Sequence, residues 1–180
     1  NVFEGNSAQS AGTQGGFGGA LFLVTPSGIF NSEISGNRFK FNSATVGTDN
    51  YGWGGAIDAY VDDGGSLYIY GNYFRGNSGN EGGGLSVRAS TDLNSSLTLQ
   101  NNTFYNNSVV SKGGALALRN IRLTADHNTY FNNDGGAAGH LFMDRVKVLR
   151  LVHQAFAPTA AGTPCELLNI DTTSAYFAGN

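Results

Sequence analysis

The feature that most constrains this chain is a phrase that recurs along it: Asn, any residue, an aromatic, two residues, Asn. It reads Asn1-Val2-Phe3-Glu4-Gly5-Asn6, then Asn37/Phe39/Asn42, Asn72/Phe74/Asn77, Asn102/Phe104/Asn107 and Asn128/Tyr130/Asn133, with Gln154/Phe156 as a decayed copy. The aromatic advances by 36, 35, 30, 26 and 26 residues. A short phrase at such spacing belongs to a chain that stacks one supersecondary unit on the next, because no unit can bury its apolar face alone. Upstream of each aromatic lies an alternating strand. Five residues before it stand Ile34, Ile69, Leu99, Ala125 and Leu151, and seven before it stand Ser32, Leu67, Leu97, Leu123 and Leu149. Alternation at period two predicts a strand with one face buried, so these positions point inward.

A second motif interleaves with the first: Gly18-Gly19-Ala20-Leu21, Gly54-Gly55-Ala56-Ile57, Gly82-Gly83-Gly84-Leu85 and Gly113-Gly114-Ala115-Leu116. Each predicts a further strand entered through a glycine pair that can take positive φ and let backbones approach. Two or three short strands per repeat, with no helical periodicity between them, predict an all-β solenoid whose coils are about 4.8 Å high. Leucine-rich repeats share the period but need a fixed Leu/Asn framework and usually a helical side. The expected fold is therefore a single-stranded parallel β-helix of about six coils, right-handed by the parallel crossover rule. Residues 1–156 carry the repeats, and 157–180 are expected to close the same domain irregularly. In such a coil the aromatics Phe39, Phe74, Phe104 and Tyr130 stack internally. Asn42, Asn77, Asn107 and Asn133 form a ladder of side-chain amides.

Composition removes several function classes. Net charge is −3 with 10 Lys plus Arg and no basic run, which argues against nucleic acid as a partner. Cys165 is the sole cysteine, so there is no intrachain disulfide and no paired-cysteine zinc site. No apolar run reaches the roughly 20 residues of a membrane span. The chain opens on Asn rather than Met, as expected of a mature product or a piece of something longer.

The pairing of GGAL/GGAI with FEGN, FKFN, FRGN and FYNN resembles the repeats of chlamydial polymorphic outer-membrane proteins, and equally those of other bacterial secreted or surface β-helix proteins. The resemblance covers about residues 1–156. It implies an extracellular or cell-surface location and a passenger-like, adhesin-like role, with glycans or other surface proteins as partners. In such proteins the last coil runs into a Cys-containing segment, and Val148 to Cys165 followed by Tyr176-Phe177-Ala178-Gly179-Asn180 is similar. The usual second Cys is missing, so Cys165 reads as a small buried hydrophobe.

Parallel β-helices also carry polysaccharide lyases and hydrolases, which need clustered acids on an outward strand face. Counting from the glycine pairs, one outward column holds Phe22, Asp58, Ser86 and Ala117, and the next holds Val24, Tyr60, Arg88, Arg119 and Arg145. If the chain is an enzyme, Asp58, Tyr60 and Arg88 are the site, yet no second acid lies over Asp58. A non-enzymatic scaffold that presents loops is the favoured expectation. Tyr68, Tyr70 and Tyr73 on one strand face, with Tyr51 and Trp53 in the preceding insertion, form a candidate sugar-stacking surface or ordinary strand packing. His127 and His153 share a column 26 residues apart, but the column supplies no carboxylate, so no metal or other cofactor is expected. Asp62-Asp63-Gly64-Gly65 lacks the alternating acids of a Ca²⁺ loop. Asn94, Asn101 and Asn106 head glycosylation sequons that an Asn-rich repeat produces by chance. Open coil ends could pair with other copies head to tail.

Overall fold

The computed structural model describes residues 1–9, 15–25, 31–44, 52–62, 64–90, 93–157, 163–171 and 176–178. The chain winds through three six-strand stacks and a shorter fourth, with parallel pairing throughout and no helix among the described residues. The aromatic stack comprises Val2–Glu4, Arg38–Lys40, Tyr73–Arg75, Thr103–Tyr105, Thr129–Phe131 and Ala155–Phe156. The glycine-entered stack comprises Leu21–Thr25, Ile57–Val61, Leu85–Ala89, Leu116–Arg119, Ala138–Asp144 and Thr163–Leu168. The alternating stack comprises Asn31–Ser35, Ser66–Tyr70, Ser96–Gln100, Arg122–Asp126, Lys147–Val152 and Tyr176–Ala178. The short strands Ser7–Ala8, Ser43–Ala44, Ser78–Glu81, Ser108–Lys112 and Asp134–Gly135 lead into the glycine pairs. These are the six coils of a parallel β-helix.

In-register stacking sets the core. Phe3, Phe39, Phe74, Phe104, Tyr130 and Phe156 lie one above the next, with ring centroids 4.9, 5.0, 4.7, 5.3 and 5.0 Å apart. Their planes tilt by at most 11°. Each stacked pair contributes about 0.5–1.5 kcal/mol beyond burial itself. Ile57, Leu85 and Leu116 pack beside Leu67, Leu97 and Leu123 in the same buried cluster.

From the second copy of the repeat phrase to the fifth both asparagines are buried, and both form ladders. Nδ2 of Asn42, Asn77 and Asn107 each donates at 2.9 Å to Oδ1 of the next Asn in the series that ends at Asn133. The same amides also donate to the Phe3, Phe39 and Phe74 carbonyls of the preceding coil. A parallel series runs Asn37, Asn72, Asn102, Asn128 and Gln154. The residue before each ladder amide takes a left-handed conformation: Gly36, Gly71, Asn101, His127 and His153 before one series, and Gly5, Phe41, Gly76, Asn106 and Asn132 before the other. That turn aims the following amide into the wall between coils.

Glycine is required where the chain enters the second stack. Gly54 has φ +67°, and a Cβ on Gly55 would lie 2.3 Å from the Gly83 carbonyl oxygen and 2.6 Å from Ser78 backbone nitrogen. The pair therefore allows a tight bend and a close approach of neighbouring coils.

Three sequence expectations change here. Leu149 does not enter the core: Leu123 pairs with Val148 and Thr124 with Arg150, so the extra residue bulges outward. Val148 is buried in its place, and Leu149 is exposed. Arg145 does not extend the arginine column, because Arg119 pairs with Asp144. Within 157–180, expected to be irregular, Thr163–Leu168 and Tyr176–Ala178 pair with the preceding coil. The two C-terminal strands carry no glycine pair and, apart from the partial echo Phe177-Ala178-Gly179-Asn180, no Asn-aromatic phrase, which hides them in the sequence.

Candidate functional site

At the glycine bend two columns of side chains meet on the outside of the coil. On one side runs the column Phe17, Trp53, Glu81, Lys112, joined by parallel bridges and strand register. On the other run Phe22, Asp58, Ser86, Ala117, Phe142, Glu166 and, two residues on, Tyr60, Arg88, Arg119 and Asp144. The two sides interlock. Arg88 lies 3.7 Å over the Trp53 ring and 5.3 Å over Phe17, while its Nη2 donates to Asp58 Oδ2 at 2.8 Å. Arg119 pairs with Glu81 and sits 4.7 Å over Phe142, which Lys112 also covers at 4.7 Å. Lys112 in turn pairs with Glu166 at 3.2 Å.

The sequence placed Asp58 on an open outward face. It does point away from the core, but the corner closes over it, and Asp58 is 0% exposed. Burial pushes its carboxyl above the ordinary range, against the opposing pull of Arg88 and the Ser86 hydroxyl. Burial likewise lowers the Arg88 guanidinium, offset by Asp58. Of the proposed trio, Asp58 and Arg88 are brought together as an ion pair, and Tyr60 lies beside Arg88 in register. Asp144 and Glu81 lie in other columns, each facing an arginine. The carboxylates of the corner are thus spent on cations.

The aromatic surface divides. Tyr68 and Tyr70 lie two residues apart on the alternating stack, 45% and 50% exposed. The strand breaks at Gly71, φ +63°, so Tyr73 opens the next strand, in the aromatic stack, rather than sharing their face. Trp53 belongs to the corner, under Arg88. Tyr51 and Asp63 lie outside the described residues.

His127 and His153 stack with ring centroids 4.3 Å apart, in a column whose own members include no carboxylate. The structure supplies one from beside it: Asp126 Oδ1 is 2.6 Å from His127 Nδ1 and 3.1 Å from His153 Nδ1. Arg150 Nη2 holds Asp126 Oδ2 at 3.2 Å. Burial would raise the Asp126 carboxyl, but the His153 hydrogen bond and the charges of Arg150, His127 and His153 hold it below its ordinary value.

His140 was missed entirely. It occupies the alanine position of a fifth, degenerate glycine motif, Ala138-Gly139-His140-Leu141, and is fully buried at the end of the Asn ladder. Asn133 Nδ2 is 3.2 Å from its Nδ1, and its Nε2 is 2.6 Å from the Ala157 carbonyl. The amide can only donate and the carbonyl only accept, so the ring is neutral with its proton on Nε2. Cys165 is half-buried among Leu141, Met143 and Phe156, where burial pushes its thiol up and against thiolate chemistry.

A right-handed β-helix is thus defined by parallel stacks, ladders and glycine corners. Residues 1–145 match the family model for the right-handed beta helix region, and the chain belongs to that family. No curated protein and no solved structure gives a match.

Proposed function

We propose that the chain serves as an extracellular or cell-surface β-helix module, adhesin-like as its resemblance to bacterial surface repeats implies, that contacts glycans through its alternating stack. The observation that carries this reading is the Tyr68/Tyr70 pair. Two phenol rings held half-exposed on the second of six paired strands cannot retreat into a core already filled from the opposite face. They are flanked in register by Glu33, Ser35, Thr98 and Gln100, which supply hydrogen-bonding partners for hydroxyls. A rigid aromatic platform with a polar rim suits a sugar ring. A glycan array with the intact chain tests it. Tyr68→Ala and Tyr70→Ala should each weaken the captured glycan about tenfold, the equivalent of roughly 1.4 kcal/mol. No binding, or binding indifferent to both changes, overturns the reading.

One observation favours a second, enzymatic reading: the Asp58 carboxyl is raised by burial beside a cation, as a general acid would be. Its access is closed by Arg88 and Trp53, which is why binding is placed first. An uronic-acid polymer panel followed near 235 nm separates the two, since a lyase leaves an unsaturated, absorbing product that Asp58→Asn would abolish.

A further inference from the structure

We propose that Asp126 Oδ1, His127 Nδ1 and His153 Nδ1 form a surface site for a divalent transition-metal ion of the imidazole-preferring kind, with Zn²⁺ as the test ion. Three ligand atoms of the right chemistry lie within 4.8 Å of one another. Two imidazoles and one carboxylate suit Zn²⁺, Cu²⁺ or Ni²⁺ and are poor for Mg²⁺ or Ca²⁺, which take oxygen. Metal–ligand bonds of about 2.0–2.2 Å at tetrahedral angles place neighbouring donor atoms about 3.3–3.6 Å apart. The Asp126–His153 separation of 3.1 Å is a few tenths of an ångström short of that. The Asp126–His127 separation of 2.6 Å must open by about 0.7–1.0 Å to reach the same geometry. Both rings are about half-exposed, with side chains 55% and 47% accessible, so the adjustment is a small rotation and water fills the remaining positions.

The backbone fixes where the rings sit. His127 and His153 have φ of +52° and +50°, in the column that earlier coils fill with Gly36, Gly71 and Asn101. Histidine is among the non-glycine types that adopt this left-handed conformation most readily, so the two imidazoles are held in register on consecutive coils. The Asp126 carboxylate is also oriented in advance: Arg150 holds Oδ2, leaving Oδ1 turned to the two rings. That is the outer-shell arrangement that fixes a monodentate carboxylate ligand.

The test is calorimetric titration of the intact chain with Zn²⁺ at a fixed pH of about 7.5, because metal affinity depends on pH. One ion per chain is expected. His153→Asn and Asp126→Asn should each weaken it about tenfold or more, and the double change His127→Asn/His153→Asn should abolish it. Asparagine is chosen because Asn101 already occupies the same column and conformation, so the fold is kept. Cu²⁺ electron paramagnetic resonance gives the second readout, with hyperfine coupling to two imidazole nitrogens in the parent chain and to one in His153→Asn. Absence of saturable binding, survival of the site in the double variant, or an unchanged nitrogen count overturns the proposal.

Discussion

Asn77 sits in the middle of a ladder, and replacing it measures what the ladder contributes. Its side chain makes four buried hydrogen bonds: Nδ2 donates to the Phe39 carbonyl at 3.0 Å and to Asn107 Oδ1 at 2.9 Å, and Oδ1 accepts from Asn42 nitrogen at 3.0 Å and Asn42 Nδ2 at 2.9 Å. At about 1 kcal/mol net for each bond, Asn77→Ala should cost about 4 kcal/mol. Much of that comes from the Asn42 backbone N–H, which is left buried without a partner. Asn77→Asp is nearly the same shape but replaces two donors with acceptors that face the Phe39 carbonyl and Asn107 Oδ1. At neutral pH it should destabilise more than alanine does, because a buried carboxylate then opposes two oxygens. Lowering the pH should recover part of the loss as the aspartate protonates and regains one donor. The matched control is Asn132→Asp, where the parent amide makes an exposed bond to Asn106 Oδ1 at 2.7 Å. There the change should stay within about 0.5 kcal/mol. Urea unfolding at several pH values reads all three variants. If Asn77→Asp and Asn132→Asp lose comparable stability, the amide ladder is decoration, and the stacked core alone holds the coils.

Gly55→Ala should prevent native folding or cost about 3 kcal/mol or more, because its Cβ would meet Gly83 and Ser78 backbone. Gly71→Ala, with nothing within 4 Å but φ +63°, should cost only about 1–2 kcal/mol by thermal melting. Arg88→Met leaves the buried Asp58 carboxylate unpaired and should cost about 3–5 kcal/mol, while the double change with Asp58→Asn recovers most of it. Trp53 is the only tryptophan, so its emission reports that corner directly, and a double variant no more stable than the single one refutes the pairing argument. For His140, burial sets the folded pKa below the ordinary 6.5, so the unfolded chain takes up that proton first as the pH falls. The stability it confers is complete above about pH 6.5 and declines below it. His140→Gln should flatten that slope in urea midpoints taken between about pH 7.5 and 5, and identical slopes refute the assignment.

The fold was legible because a solenoid writes each structural requirement once per coil. Phe39, Phe74, Phe104 and Tyr130 align because each ring needs the next as a floor, and Gly54/Gly55 recur because a Cβ there meets backbone. The Leu149 position failed for a local reason. Period-two counting cannot detect a one-residue bulge, and both Val148 and Leu149 are apolar. The first Asn of each phrase forms a second ladder that the sequence reading did not assign, and a mixed set of left-handed residues precedes both series, so the turn gives no signature for either.

The candidate sites were legible only along columns, and the missing information runs across them. Counting within a strand gave Asp58, Ser86 and Ala117 one outward address, but the glycine bend brings a second column, Phe17, Trp53, Glu81 and Lys112, against it. Neither column alone says that Arg88 will lie on Trp53 while holding Asp58. The same blindness hid Asp126, which stands one residue outside the histidine column and reaches it because the left-handed turn at His127 folds the imidazole back over its own neighbour. In a repeat protein, residues that agree with the column maintain the coil. Residues that change its type, such as His127, His153 and His140 where other coils place Gly, Asn or Ala, bring a side-chain chemistry that the coil geometry does not require, and that chemistry needs a separate reason. For His140 the reason is the end of an amide ladder, satisfied within the chain. His127 and His153 share a single carboxylate oxygen at the surface, an arrangement that one bound cation completes.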